Sequence, residues 1–126
     1  MGDWGPEPWE NDEAADWFHR FWKGGFSVLI GEIRNFDPRR ERYDEVRAAA
    51  YLLQSLGIAY LWPSEHGAEL KPLLNEAISI LTKMINPPSD EWGFLDMWSN
   101  DPDVIKSVEN QIDGLKGRLS QLVTLR

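Results

Sequence analysis

Apolar residues recur at steps of three and four along most of this 126-residue chain, and that spacing limits its fold more than any other feature. The clearest stripe comprises Leu70, Leu73, Leu74, Ala77, Ile78, Leu81, Met84 and Ile85. A second stripe comprises Ile105, Val108, Ile112, Leu115, Leu119 and Leu122. No stretch alternates apolar and polar residues with a period of two for long enough to build a sheet. The sequence therefore predicts an all-α fold.

Capping and helix-breaking residues divide the chain into five to six helices. Asn11 can cap a first helix. The broad apolar face of this helix should comprise Ala14, Trp17, Phe18, Phe21 and Trp22. Asp37 and Pro38 predict the start of a third helix, and Gly57 should end that helix in a left-handed conformation. Asp101, which precedes another proline, should cap the last helix.

The length of the chain is typical of one domain. A chain of this size buries roughly two-thirds of its unfolded surface, and seven tryptophans supply ample apolar area. We interpret residues 1–126 as a single compact helical bundle. Residues 1–10 should form an arm packed on the first helix, and fraying can be expected at residues 120–126. The stripe between residues 105 and 122 either completes the core or forms a homodimer surface.

Composition excludes several classes of function. The chain has no cysteine, which removes disulfide scaffolds, thiol nucleophiles and cysteine-ligated metals. Its net charge of −8 opposes nucleic-acid binding and favours a basic protein partner. No apolar run approaches the ~20 residues of a membrane span, and the first residues lack the pattern of a secretory signal. We expect a soluble, cytoplasmic protein that binds neither membrane nor cofactor.

An unusual group of aromatic, acidic and small residues opens the chain. It comprises Trp4, Gly5, Trp9, Asn11, Asp12, Asp16 and Trp17. We interpret this group as structural: Trp4 and Trp9 should pack back on the Trp17 face of the first helix. Asp16 can pair with Arg20, one turn further along, or accept hydrogen bonds from the backbone amides of the arm.

This opening resembles that of an uncharacterised bacterial domain-of-unknown-function family, whose members begin M-G-x-W-G-x-G-x-F-x-N-D-x-A-x-D-W. The resemblance would cover nearly the whole chain and implies a single domain, but the family has no established activity to carry over. This sequence differs in having Glu7 in place of glycine and Trp9 in place of phenylalanine. It also has Tyr51 where an acid is expected after the alanine-rich helix.

Two functional hypotheses arise from the acidic residues. The first is a non-catalytic protein-binding domain, of the immunity or antitoxin type, that presents an acidic surface to a basic protein. Its candidate contacts are Asp12, Glu13, Asp16, Trp92, Asp96 and Trp98. The alternative is a small metal-binding protein or metal-dependent enzyme that uses Asp12, Asp16 and His19, which follow at steps of four and three on one helix face. We favour the first hypothesis.

A cluster of arginines lies in the middle of the chain, at Arg39, Arg40, Arg42 and Arg47. Guanidinium groups can bind phosphate. However, acids are interspersed among these arginines, as on a solvated helix with local ion pairs. We therefore interpret the cluster as a mixed surface and expect no nucleic-acid binding.

Overall fold

The computed structural model describes residues 5–124, and within that range the chain is helical with no strand. The helices are α1 Asp12–Gly24, α2 Phe26–Arg34, α3 Tyr43–Leu56, α4 Leu70–Ile85, α5 Phe94–Met97 and α6 Pro102–Thr124. Two 3-10 helices, Pro38–Arg40 and Ser64–Glu69, lie in the connections. The predicted all-α fold is confirmed. Within the described part of the chain, no helix has the length and hydropathy needed to cross a bilayer.

The start of α1 agrees with the prediction. Asn11 has an extended backbone, and its side-chain oxygen accepts a hydrogen bond of 2.7 Å from the Ala14 amide. This bond satisfies one of the amides that the first turn of a helix leaves without a partner. At the other end, Gly25 has a φ of 75°, which lets the chain turn between α1 and α2.

Two details of α3 differ from the prediction. Pro38 opens a separate 3-10 helix, and α3 begins only at Tyr43, because Glu41 takes a left-handed conformation (φ 56°) that interrupts the helix. Gly57 does end α3, but its φ of −80° is not left-handed. Glycine fits there for another reason: a Cβ atom would collide with the Leu53 carbonyl oxygen.

One hydrophobic core draws on all six α-helices of the described residues. Trp17 of α1, Leu74 of α4 and Ile112 of α6 are all buried within it. The contact between α4 and α6 is the most extensive between two helices. Val108, Ile112 and Leu115 are buried in this way, so the middle of the carboxyl-terminal stripe belongs to the chain's own core. Leu119 and Leu122, nearer the end, are only partly buried against it.

Residues 5–10 form an arm that is tied to α3 and α6. The Pro6 carbonyl accepts a hydrogen bond of 3.1 Å from Arg47, and a Glu7 carboxylate oxygen accepts one of 2.7 Å from the Ser107 hydroxyl. The ring of Trp9 lies 4.9 Å from that of Tyr51 in α3. These contacts are with α3 and α6, whereas the prediction placed the arm on the Trp17 face of α1. Trp4, also assigned to that face, lies outside the described residues.

Candidate functional site

The outward side of α1 carries three of the six residues predicted to bind a partner. The residues that we call the α1 face are Asp12, Glu13, Asp16, His19 and Trp22, all of them exposed. Asp12, Asp16 and His19 lie at its centre, with Glu13 on one flank and Trp22 on the other. The opposite side of the helix carries Ala14, Trp17 and Phe21, which are buried. The amphipathic pattern of α1 therefore fixes the α1 face towards solvent.

The three carboxylates of the α1 face are free to interact with another molecule. Within residues 5–124, the side chains of Asp12, Glu13 and Asp16 take part in no ion pair or hydrogen bond, and the predicted pair of Asp16 with Arg20 does not form. Asp12 and Glu13 lie in the first turn of α1, where the positive end of the helix dipole favours negative charge. Their position is thus stable without a cationic partner.

Trp22 was predicted to join the apolar face of α1, and that prediction is wrong. Its side chain is 79% exposed, and its contact with an aromatic ring is an edge-to-face one with Phe21 at 5.6 Å. Burying a tryptophan stabilises a protein by about 3 kcal/mol or more, so a tryptophan left in water forgoes a large contribution. Trp22 is consequently available to pack against a partner.

A cavity of about 420 Å³ lies between α1 and the start of α3. Its lining consists of Glu13, Asp16, His19, Arg20, Arg42 and Glu45. Arg42 is held in place by two hydrogen bonds to the Glu32 carboxylate, of 2.9 and 2.8 Å, which also raise the pKa of this arginine. Glu32 accepts a third hydrogen bond, of 3.1 Å, from the Trp17 indole. This network fixes α1, α2 and α3 relative to one another beside the α1 face.

The alternative metal site is not formed. In the described range of 5–124, no three histidine, aspartate or glutamate side chains are grouped so that they could hold a metal ion. Asp12, Asp16 and His19 share a helix face, as predicted, but they extend into solvent and do not converge. Arg20 and Arg42 line the adjoining cavity, and their positive charges would repel a cation.

The second predicted contact region lies around α5, at a cavity that no residue of the α1 face lines. Trp92 and Asp96 both line this cavity, which has a volume of about 270 Å³. Trp92 is half-buried, with its ring 5.6 Å from that of Phe36, and Trp98 is half-buried against the core. Both indoles therefore use much of their surface inside the domain, and Asp96 is the exposed member of the set.

Arg47 has a role that the sequence interpretation missed. Arg47 was predicted to lie on a solvated surface, but it is only 1% exposed. Its guanidinium donates hydrogen bonds to the Gln111 side chain (2.8 Å), the Ser107 hydroxyl (2.8 Å) and the Pro6 carbonyl (3.1 Å). Burial lowers the pKa of Arg47 to about 10, so the side chain remains charged at neutral pH. The sequence does hold one signal: on either side of Arg47 stand Val46 and three alanines.

The arginine network has a structural role. It joins the arm, α3 and α6 through one buried cation, and Gln111 closes a second link by donating a 3.0 Å hydrogen bond to the Arg47 carbonyl. Burial of a charge is tolerated only when its hydrogen-bonding groups are satisfied. The oxygens of the arm meet that requirement in part, which explains why the arm docks on α3 and α6.

Comparison with known proteins gives no assignment. No protein-family model, curated protein or solved structure matches this chain. The resemblance of the opening residues to an uncharacterised family remains a prediction. What the fold and the site define is an all-α domain whose first helix exposes carboxylates together with a tryptophan.

Proposed function

We propose that this chain is a non-catalytic protein-binding domain that captures a basic protein partner through the α1 face. The observation that carries the proposal is the 79% exposure of Trp22 on the same helix as three carboxylates that have no partner in residues 5–124. Tryptophan is among the residues that dominate binding energy at the centres of protein interfaces. Carboxylates at the rim attract a basic surface and set its orientation.

The charge of the whole chain supports the same partner. A net charge of −8 raises the local concentration of a basic protein near the surface and accelerates association. The three carboxylates lie in the first half of the exposed part of α1, and Trp22 lies near its end. A complementary partner would present lysine or arginine side chains next to an apolar pocket that accepts the indole.

The particular form that we propose is an immunity or antitoxin role, in which the domain covers the working surface of a basic toxin. Such a role requires tight, selective binding and no chemistry of its own. The small size of the chain and its strong negative charge support this role, since rapid capture of a toxin benefits from electrostatic steering.

Affinity capture from the native host, with the full chain as bait, tests the proposal. One bait carries D12N, E13Q and D16N, and a second carries W22A. A control bait removes the same number of charges from exposed positions elsewhere, through substitutions at Glu76, Glu109 and Asp113. We expect the wild type and the control bait to capture the same basic protein, and both α1 variants to lose at least tenfold in affinity, about 1.4 kcal/mol.

The baits also separate the possible failures. Circular dichroism of each variant confirms that it is folded, and added salt should weaken capture by the wild type because exposed charges are screened. Equal capture by all baits would contradict the assignment to the α1 face. Absence of any basic protein specific to the wild-type bait would remove the proposal itself.

A further inference from the structure

We propose a second site, distinct from the α1 face, in which Arg118 binds the carboxylate of a small apolar acid. The site is a cavity of about 440 Å³ between the loop that follows α3 and the last turns of α6. Its lining includes Ile58, Tyr60, Arg118, Gln121 and Leu122. The volume is within the range of small-molecule sites, roughly 300–1,000 Å³.

Arg118 is held by neutral groups only. Its Nε donates a 2.6 Å hydrogen bond to the Gln54 carbonyl, and its Nη1 donates a 3.0 Å hydrogen bond to the Gln121 side chain. Within residues 5–124 it has no carboxylate partner, unlike Arg34, Arg39 and Arg42. Its charge is therefore fixed in position, and no carboxylate in the described part of the chain compensates it.

The second terminal nitrogen of Arg118 specifies the ligand's head group. Nη2 donates to no group in the described residues, which leaves N–H donors for an anion. A carboxylate is one of the anions that a guanidinium binds in planar, bidentate geometry, and its single charge matches that of one arginine. Among the described residues that line the cavity, Arg118 is the sole charged one, and its sign is opposite to that of the chain as a whole. This complementarity favours an anionic ligand over a neutral one.

The rest of the lining suits an apolar chain. Ile58 and Leu122 are half-buried, and Tyr60 is 89% exposed at the border of the cavity, where its ring can close over a ligand. A ligand with a carboxylate head and a hydrocarbon tail would satisfy Arg118 and remove this apolar surface from water. A medium-chain fatty acid is the simplest molecule of this class.

Titration of the full chain with decanoate, followed by the amide resonances in NMR spectra, tests the site. We expect shifts confined to residues 57–60 and 118–122. R118Q should weaken decanoate binding about tenfold, because it removes a charge-assisted hydrogen bond. K116Q is the matched control, since Lys116 is an exposed cation on the same helix that does not line the cavity, and it should change affinity less than about twofold. Decanol should bind at least about tenfold more weakly than decanoate.

Three results would overturn the proposal. They are the absence of shifts up to about 1 mM decanoate, equal binding by the wild type and R118Q, and equal binding of decanol and decanoate. Light scattering adds a fourth: a doubling of mass in the absence of ligand, abolished by a Tyr60→Ser substitution, would assign the cavity to a second copy of the chain. None of these outcomes depends on capture through the α1 face.

Discussion

Substitution of Arg47 by alanine tests whether one buried cation holds the arm and two helices together. The change removes three hydrogen-bond donors at once, to Gln111, Ser107 and Pro6, and deletes a side chain that is 1% exposed. The Gln111 side-chain oxygen and the Pro6 carbonyl oxygen, which accept hydrogen bonds from Arg47, then lose their donor. The variant should remain helical, because the apolar stripes of α4 and α6 are unchanged.

The expected loss follows from these contacts. A net hydrogen bond to a charged group contributes about 1.5–3 kcal/mol, and such contributions are not additive within one network. The truncation also leaves a cavity, and replacing a large buried side chain with alanine typically costs about 2–5 kcal/mol. We expect Arg47→Ala to lower the free energy of unfolding by about that amount, which is a large share of the 5–15 kcal/mol typical of a small domain.

Urea unfolding followed by circular dichroism measures the loss. Arg40→Ala is the control, because Arg40 is exposed and should change stability by no more than about 0.5 kcal/mol. Amide hydrogen exchange in residues 5–10 is a second readout, and it should accelerate in Arg47→Ala but not in Arg40→Ala. A loss below about 1 kcal/mol with an arm that stays protected would refute the proposed role of Arg47.

Three further predictions concern single positions. Gly57→Ala should destabilise the protein by roughly 1–3 kcal/mol, because the new methyl group would collide with a backbone carbonyl oxygen of α3. Gly117→Ala, where the methyl group would meet open space, should stabilise the protein by about 0.5–1 kcal/mol, and urea unfolding measures both changes. Burial raises the pKa of Tyr43, so an ultraviolet absorbance titration should show one phenol that ionises above its usual range, and this phenol should be absent in Tyr43→Phe. Since the folded state holds this proton more tightly than the unfolded state, stability should fall as the pH rises through that pKa. A side-chain hydrogen bond from Arg39 lowers the pKa of Asp37. The stability that Asp37 adds is therefore present above its ordinary pKa and is lost as the pH falls through the lowered pKa. The difference in Tm between the wild type and Asp37→Asn should disappear in acid.

The helices were predictable where local signals agreed. In α4 the 3-4 stripe of apolar residues, a proline in the first turn and the Asn86-Pro87-Pro88 stop all indicate one helix, which the structure confirms as Leu70–Ile85. Asn11 shows the same agreement, because its cap depends only on residues within one turn. Local hydrogen bonding and hydrophobic periodicity depend only on residues close together in the chain, so they can be predicted directly from the sequence.

The depth of Arg47 could not be predicted in this way. The groups that satisfy its charge lie 41 positions before it, at Pro6, and 60 and 64 positions after it, at Ser107 and Gln111. The alternating charges around it are typical of a solvated helix. The apolar residues next to Arg47 are the one local signal of its burial, and the groups that satisfy its charge are visible only in the tertiary arrangement.

The candidate site was predicted in part. The acids of the α1 face were chosen correctly as exposed residues, because they fall opposite the apolar stripe of α1. Trp22 was assigned to the broad apolar face of α1 on its helical spacing, but its position on the flank of the helix leaves it in water. Tryptophan composition alone does not reveal which indole a fold leaves uncovered.

Amide hydrogen exchange of the full chain, alone and bound to the basic protein that it captures, tests the α1 face most directly. We expect binding to slow exchange in residues 12–23 and to leave residues 89–103 unchanged. Slowed exchange confined to residues 89–103, with residues 12–23 unaffected by the partner, would contradict the proposal that α1 is the surface on which this domain binds.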